Sequence, residues 1–234
     1  MNPLVIALGV LLIAIILMTL YSSFFSGSTT MIDKVNLASA IADTAADKID
    51  NPNSGNRTYS IWVYVNTWNS TNYKMIFGRE GDILLFLDKT SSKLRCKISP
   101  TTDNIASAIS VAEIPSDSTI IDITNDFPIQ KWVFVTVVVD SANIADYYLD
   151  GKLVKSVKLS SSTVSTNNPI TYGKGHDTWI AQFKRTPKVT GPQEVWNMYS
   201  KSNPGSSIKD AIGNYNVNLS LLKDNAVSSS LSLF

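Results

Sequence analysis

The fold is decided by residues 130–159, which read QKWVFVTVVVDSANIADYYLDGKLVKSVKL. Between residues 132 and 139 four valines alternate with a second, largely apolar set, and this period of two is typical of a β-strand. Two further strands, 145–149 and one beginning at Lys152, flank Asp150-Gly151. That dipeptide favours a type I′ hairpin turn, because such a turn requires positive φ at both central positions, where Asp-Gly is a preferred pair. The stretch therefore predicts a three-stranded meander at the heart of an antiparallel sheet.

Composition excludes several function classes. The chain has 234 residues, a net charge of +1 and only 17% charged residues, so it lacks the basic surface that nucleic-acid binding requires. Its single cysteine, Cys96, rules out an intrachain disulfide and a Cys-rich metal framework. Cys96 alternates with apolar neighbours, which predicts a small core residue rather than a reactive thiol.

The N-terminal stretch is long and apolar. Residues 3–21 read PLVIALGVLLIAIILMTLY, and no charged residue precedes Asp33. A helix of this length can cross a hydrocarbon core of about 30 Å, whereas a cleaved signal peptide usually has a shorter apolar region behind a basic start. We therefore expect residues 1–25 to form an uncleaved transmembrane anchor in a lipid membrane, in an orientation that the flanking charges leave open. The anchor residues are Pro3, Leu4, Val5, Ile6, Leu8, Leu11, Leu12, Ile13, Ile15, Ile16, Leu17, Leu20 and Tyr21.

The rest of the chain divides into a tether with a first strand or helix at 26–50 and a β domain at 51–234. Residues 31–50 fit either a helical stripe or a short strand at 35–37 followed by a turn, and we favour the strand. Segments 99–118 and 160–169 read as loops, and one short helix opens at Gly191-Pro192, since proline suits the first turn. Further strands are predicted at 59–68, 74–79, 83–87, 94–98, 119–124, 179–183, 217–221 and 227–234. About ten short strands and one helix predict an all-β, antiparallel jelly-roll sandwich.

Several motifs resemble a known family. YSIWVYVNTW at 59–68, KMIFGRE at 74–80, YLDGKLVKS at 148–156 and GPQEVWNMY at 191–199 are similar to the laminin-G-like, concanavalin A-like lectin/glucanase sandwich. The residues that mark this fold are Trp62, Trp132, Asp150, Gly151 and Trp196.

A narrower resemblance adds DFPIQKW at 126–132 and the tail SLLKDNAVSSSLSLF at 220–234. Together with the anchor, these look like membrane-anchored virion proteins of large icosahedral double-stranded DNA viruses of algae and protists. That resemblance implies a minor structural protein of the virion, at the internal membrane and the inner face of the capsid, and in a host membrane during assembly. Its partners would be lipid and other capsid proteins.

The sequence gives no sign of catalysis. Glucanases of this fold carry carboxylates in a pattern resembling Glu-x-Asp-x-x-Glu, because one group must protonate the leaving oxygen while another attacks or activates water. The three glutamates here, Glu80, Glu113 and Glu194, lie in separate segments. The single histidine, His176, cannot build a His-based metal site. We therefore expect a protein that is not an enzyme and needs no cofactor.

A structural calcium ion is an alternative that the loop aspartates leave open, although they form no dense ligand series. The aspartates concerned are Asp103, Asp117, Asp122, Asp126 and Asp177.

Two functions remain in view. The first, which we favour, is structural tethering of the internal membrane to the capsid shell through the lectin-like sandwich. The second is glycan recognition by a membrane-displayed lectin-like module, for which Trp62, Tyr64 and Trp68 are the candidate aromatic face. Sugars stack on aromatic rings, but core packing is the favoured explanation of such a face, and a protein contact is the next.

Overall fold

The computed structural model describes Ile13 and residues 29–109, 120–161, 164, 166–202, 204, 218–223 and 226–232. Apart from Ile13, the predicted anchor lies outside these residues. No helix among the described residues has both the length and the apolar character needed to cross a membrane.

The described chain contains thirteen strands, two α-helices and one 3-10 helix. The strands are β1 (Thr29–Asn36), β2 (Arg57–Val65), β3 (Lys74–Arg79), β4 (Ile83–Leu87), β5 (Leu94–Ile98), β6 (Ile120–Thr124), β7 (Val133–Val139), β8 (Ile144–Leu149), β9 (Lys152–Lys158), β10 (Thr171–Tyr172), β11 (Thr178–Thr186), β12 (Asn218–Lys223) and β13 (Ala226–Ser232). The α-helices are α1 (Thr102–Ile109) and α2 (Pro192–Lys201), and the 3-10 helix is Ala46–Lys48.

Two antiparallel sheets form the sandwich. One has six strands in the order β1-β11-β2-β7-β8-β9, and the other has five in the order β10-β3-β4-β5-β6. Strands β12 and β13 pair with each other in a separate two-stranded sheet. The architecture confirms the prediction of an all-β sandwich and fits a jelly roll. The strand favoured within residues 31–50 is present as β1, which is longer than expected and pairs with β11.

The core lies between the inner faces of the two sheets. All four alternating valines of β7 join a buried cluster that includes Phe77, Leu85 and Cys96 from the opposite sheet. The period-two reading of β7 is therefore confirmed, and Cys96 is a buried core residue as predicted.

The meander β7-β8-β9 is present, and its turn has the expected geometry. Asp150 has φ 48° and Gly151 has φ 77°, the positive values that a type I′ turn requires. An Asp150 carboxylate oxygen also accepts a hydrogen bond from the Phe134 backbone N–H at 2.9 Å. The meander runs from the interior of the sheet to its edge, however, since β9 is the outermost strand and not a central one.

A helix covers the outer side of each sheet. Val195 of α2 is fully buried against Val138 and Tyr148 on the six-stranded sheet. On the five-stranded sheet, Ile105 and Ala108 of α1 pack with a small apolar cluster. The predicted helix is present as α2, and α1 is a second one, within residues 99–118 where the sequence predicts a loop.

Candidate functional site

The three aromatic residues predicted to form one face lie in three different surroundings. Trp62 is only 1% exposed beneath α2, where its ring stacks on Tyr199 at 5.7 Å. Trp68 lies past the end of β2 and packs against the core, with the Lys74 ammonium 3.9 Å from its ring centroid. Tyr64 alone remains on the partly exposed outer face. Core packing therefore accounts for Trp62, and the predicted face does not exist as a single surface.

A different aromatic surface occupies the outer side of the six-stranded sheet. It consists of Tyr64, Trp132 and Trp179, all partly exposed, and we name it the aromatic platform. Tyr64 and Trp179 are register partners on β2 and β11, and the rings of Tyr64 and Trp132 lie 5.4 Å apart. The Lys34 ammonium lies 5.7 Å from the Trp132 ring centroid and 5.9 Å from that of Trp179. The platform therefore presents indole and phenol rings beside one cation.

Strand periodicity explains why these residues meet. Tyr64 follows Trp62 by two positions on β2, so both point to the outer face. α2 covers Trp62 but leaves the next outward position partly exposed. Trp132 stands just before β7, next to Val133, which pairs with Val63.

A polar cluster borders the aromatic platform. The Asp177 carboxylate accepts hydrogen bonds from the Asn36 side-chain amide at 2.9 Å and the Asn66 side-chain amide at 2.6 Å. The Thr67 hydroxyl donates a longer bond at 3.4 Å. We name these four residues the Asp177 cluster. Asp177 precedes Trp179 by two residues, and Asn36 is the register partner of Trp179 on β1, so the cluster shares the platform's face.

Hydrogen bonding fixes the charge of this cluster. The amide of Asn36, followed by that of Asn66, lowers the pKa of Asp177 below its usual value. The carboxylate is therefore ionised at neutral pH, and a carboxylate offers about four lone-pair sites for acceptance. Its position is set by Asn36 at the end of β1 and by Asn66 and Thr67 just after β2, and these three donors leave acceptor capacity for a hydroxyl group of a ligand.

The predicted calcium ligands do not come together in the described part of the chain, where no group of three or more metal-ligating side chains is found. Asp122 is paired with Arg95 at 2.9 Å, and Asp103 lies in α1. Asp177 lies among the Asn36, Asn66 and Thr67 side chains and not beside another of these aspartates, and Asp117 lies outside the described residues.

His176 has a structural role. Its Nδ1 is 2.9 Å from the Thr178 hydroxyl, and its Nε2 is 2.9 Å from the Met75 carbonyl oxygen. Burial lowers the pKa of His176 to about 4, so the ring is neutral at physiological pH. Of the glutamates, Glu80 follows β3 and Glu194 lies in α2, while Glu113 lies outside the described residues.

Comparison with known proteins identifies the family. A model of the concanavalin A-like lectin/glucanases superfamily matches residues 39–184, which is more than half of the chain. The chain belongs to this superfamily. A search of curated proteins gives no match for this concanavalin A-like protein.

Solved structures share the fold at low sequence identity. Two mutants of HCR/D, W1238A and F1240A, match with TM-scores of 0.53 and 0.51 at 18% and 16% identity. The W1238A match covers 74% of this chain and 44% of the matched chain, and the F1240A match covers 72% and 42%. A third match is a structure of botulinum neurotoxin type C, whose cell entry is described as dependent upon interaction with two ganglioside molecules. This match has a TM-score of 0.47 and 17% identity, and it covers 62% of this chain and 35% of the matched chain.

The concanavalin A-like chain thus spans less than half the length of these matched structures. At such identities the likeness shows the fold alone.

Most of the candidate site was missed by sequence reasoning. From the sequence, Tyr64 is expected to face a ligand, Trp132 to mark the fold and Asp177 to be open to calcium, whereas Lys34, Asn36 and Trp179 carry no expectation. The available signal was the outward parity of β2 and β11. That alternation shows which residues of each strand point outward, but only the register of β11 on β2 shows which of them lie side by side.

Proposed function

We propose that this concanavalin A-like domain recognises carbohydrate, and that sugar binds on the aromatic platform beside the Asp177 cluster. The observation that carries the proposal is three partly exposed aromatic rings next to an ionised carboxylate already held by two amides. Membership of a superfamily named for lectins and glucanases supports the same class of ligand.

The chemistry of a pyranose fits this arrangement. One face of the sugar ring carries C–H groups, which stack on an aromatic ring and bury apolar area there. Sugar hydroxyls can donate to the Asp177 carboxylate, and hydrogen bonds to a charged group are stronger than neutral ones. The Lys34 ammonium, which lies over the Trp132 and Trp179 rings, supplies donors for ring or hydroxyl oxygens.

The proposed role is binding without bond cleavage. Glycoside hydrolysis needs two carboxyl groups flanking one bond. Asp177 is the carboxylate of the proposed site, and amide donors hold it ionised. An ionised carboxylate cannot serve as the acid that protonates a leaving group.

A glycan array tests this proposal. The full chain is applied in a buffer that contains detergent, because residues 3–21 are apolar. We expect binding to a defined set of glycans, and we expect Asp177→Asn to lose that set while Asp146→Asn, the same change on β8, keeps it. An array on which the wild-type chain binds no glycan would overturn the proposal.

Tethering of an internal membrane to a capsid remains a separate prediction. It rests on the apolar residues 1–25 and on the narrower viral resemblance, and residues 1–25 apart from Ile13 lie outside the described part of the chain. Protease protection on intact and permeabilised particles would test it. A chain cleaved on intact particles would contradict an internal tether and would suit a module displayed outward.

A further inference from the structure

A cleft lies on the same side of the six-stranded sheet as the aromatic platform. It has a volume of about 530 Å³ and lies between α2 and strands β2 and β11. One face of α2 supplies Glu194, Asn197, Met198 and Lys201, which are spaced three or four residues apart as neighbours on a helix are. The sheet supplies Ser60, Phe134, Gln182 and Lys184, and Ser202 follows the helix.

The cleft is separate from the platform. Ser60, Trp62 and Tyr64 are successive outward residues of β2, where Ser60 lines the cleft and Tyr64 belongs to the platform. Trp62 between them is buried beneath Tyr199. At about 3.3 Å per residue, Ser60 and Tyr64 are about 13 Å apart along the strand.

The charge of the cleft is positive. Lys184 and Lys201 have no ion-pair partner among the residues that the structure describes. The acidic group, Glu194, is already paired with Lys188 at 2.8 Å. Two ammonium groups, one from α2 and one from β11, therefore line the cleft without a carboxylate partner among the described residues.

The uncharged side chains of the cleft indicate a ligand that carries hydroxyl groups as well as a negative charge. Asn197 and Gln182 carry amides that both donate and accept, and Ser60 and Ser202 carry hydroxyls. Phe134 and Met198 give a small apolar floor. Ligand pockets typically have volumes of about 300 to 1,000 Å³, so this cleft can hold a molecule of one or two sugar rings.

We infer that this cleft binds a sugar acid, whose carboxylate is held by Lys184 and Lys201 and whose hydroxyls bond to the amides and serines. The inference does not depend on glycan binding at the aromatic platform, because no platform residue lines the cleft.

Calorimetric titration of the full chain, in detergent-containing buffer, with glucuronate and with glucose tests it. Glucuronate differs from glucose by one carboxylate, so the comparison isolates the anionic group. We expect glucuronate to bind more tightly, and the difference to shrink as salt is raised from about 10 mM to about 150 mM, because Lys184 is partly exposed and Lys201 is exposed. Lys184→Gln and Lys201→Gln should each weaken glucuronate binding about fivefold or more.

Two controls make the outcome decisive. Lys152→Gln removes the same charge from β9, at the opposite edge of the sheet, and should bind glucuronate as the wild type does. Trp179→Ala removes a platform ring and should also leave glucuronate binding unchanged. Equal affinity for glucose and glucuronate, or unchanged binding by both cleft variants, would overturn the inference. Loss of glucuronate binding in Trp179→Ala would show that glucuronate binds at the platform, and it would overturn the inference too.

Discussion

Asp82→Asn should destabilise the domain strongly, because Asp82 is the carboxylate of a buried cluster that contains three guanidinium groups. Asp82, Arg57 and Arg79 are fully buried, and Arg185 is 1% exposed. One Asp82 oxygen accepts from Arg57 Nε at 2.6 Å. The other accepts from Arg79 Nη1 at 3.2 Å and from the Tyr59 hydroxyl at 2.5 Å. The Tyr59 hydroxyl in turn accepts from Arg185 Nε at 3.2 Å.

The expected loss is about 3 to 5 kcal/mol, the usual cost of removing one partner from a buried ion pair and leaving the other charge uncompensated. Backbone carbonyls satisfy part of the arginine donors, since Arg79 also bonds to the carbonyl oxygens of Pro52, Thr166 and Asn168. Those carbonyls cannot replace the negative charge. The cluster joins loops 50–56 and 166–168 to the sheets, so its loss should loosen that end of the sandwich.

Urea unfolding followed by tryptophan fluorescence measures this loss as a change in the free energy of unfolding. Asp122→Asn is the matched control, because Asp122 pairs with Arg95 at 2.9 Å but is 40% exposed. An exposed pair contributes about 1 kcal/mol or less, so the control should stay within that range. An Asp82→Asn protein within about 1 kcal/mol of wild type would refute the reasoning.

Three further predictions concern single sites. Because burial lowers the folded pKa of His176 to about 4 from 6.5, its contribution to stability is fully present above pH 6.5. About 2 to 3 kcal/mol of that contribution is lost as the pH falls toward 4, and His176→Gln should flatten this part of a pH–stability profile. Gly151→Ala should cost more than about 1 kcal/mol in urea unfolding, since residue 151 has φ 77° and an added Cβ would lie 2.9 Å from Trp196 Cε3. The Gly151→Ala/Trp196→Ala double mutant should lose less than the sum of the single losses, and strict additivity would contradict the clash. The Cys96 thiol, fully buried with a pKa raised to about 12 by burial, should resist alkylation until urea unfolds the chain, and rapid labelling of the native protein would contradict this.

Sequence reasoning recovered the features whose signal is local. The valines of β7, the Asp150-Gly151 turn and the proline that opens α2 each depend on residues a few positions apart, and the structure has all three. Helix α1 is not predicted, although its sequence contains a local signal. Asn104 and Thr101 cap one another, with the Thr101 N–H donating to Asn104 Oδ1 at 3.0 Å and the Asn104 N–H donating to Thr101 Oγ1 at 3.4 Å.

The candidate site depends on contacts that no local pattern contains. Trp179 meets Tyr64 only through the register of β11 on β2, and Asn36 meets Asp177 only because β1 joins the far side of β11. The bulge in β11 between Ala181 and Lys184 shifts that register partway along the strand. Likewise, Trp62 is buried because α2 lies over it, and nothing near residue 62 in the sequence indicates where a helix far later in the chain will pack.

Carbohydrate recognition on the aromatic platform is tested most directly by the dissociation constant of the glycan that binds best on the array. It is measured by calorimetry for the wild-type chain, for Trp179→Ala and for Trp196→Ala. Trp196 is a matched control, because it is also an exposed tryptophan, at 43%, but lies on α2 outside the platform. We predict that Trp179→Ala weakens binding about tenfold or more, the loss of one stacked ring, while Trp196→Ala stays within about twofold of wild type. Equal affinities in all three proteins would contradict the assignment of sugar to the platform.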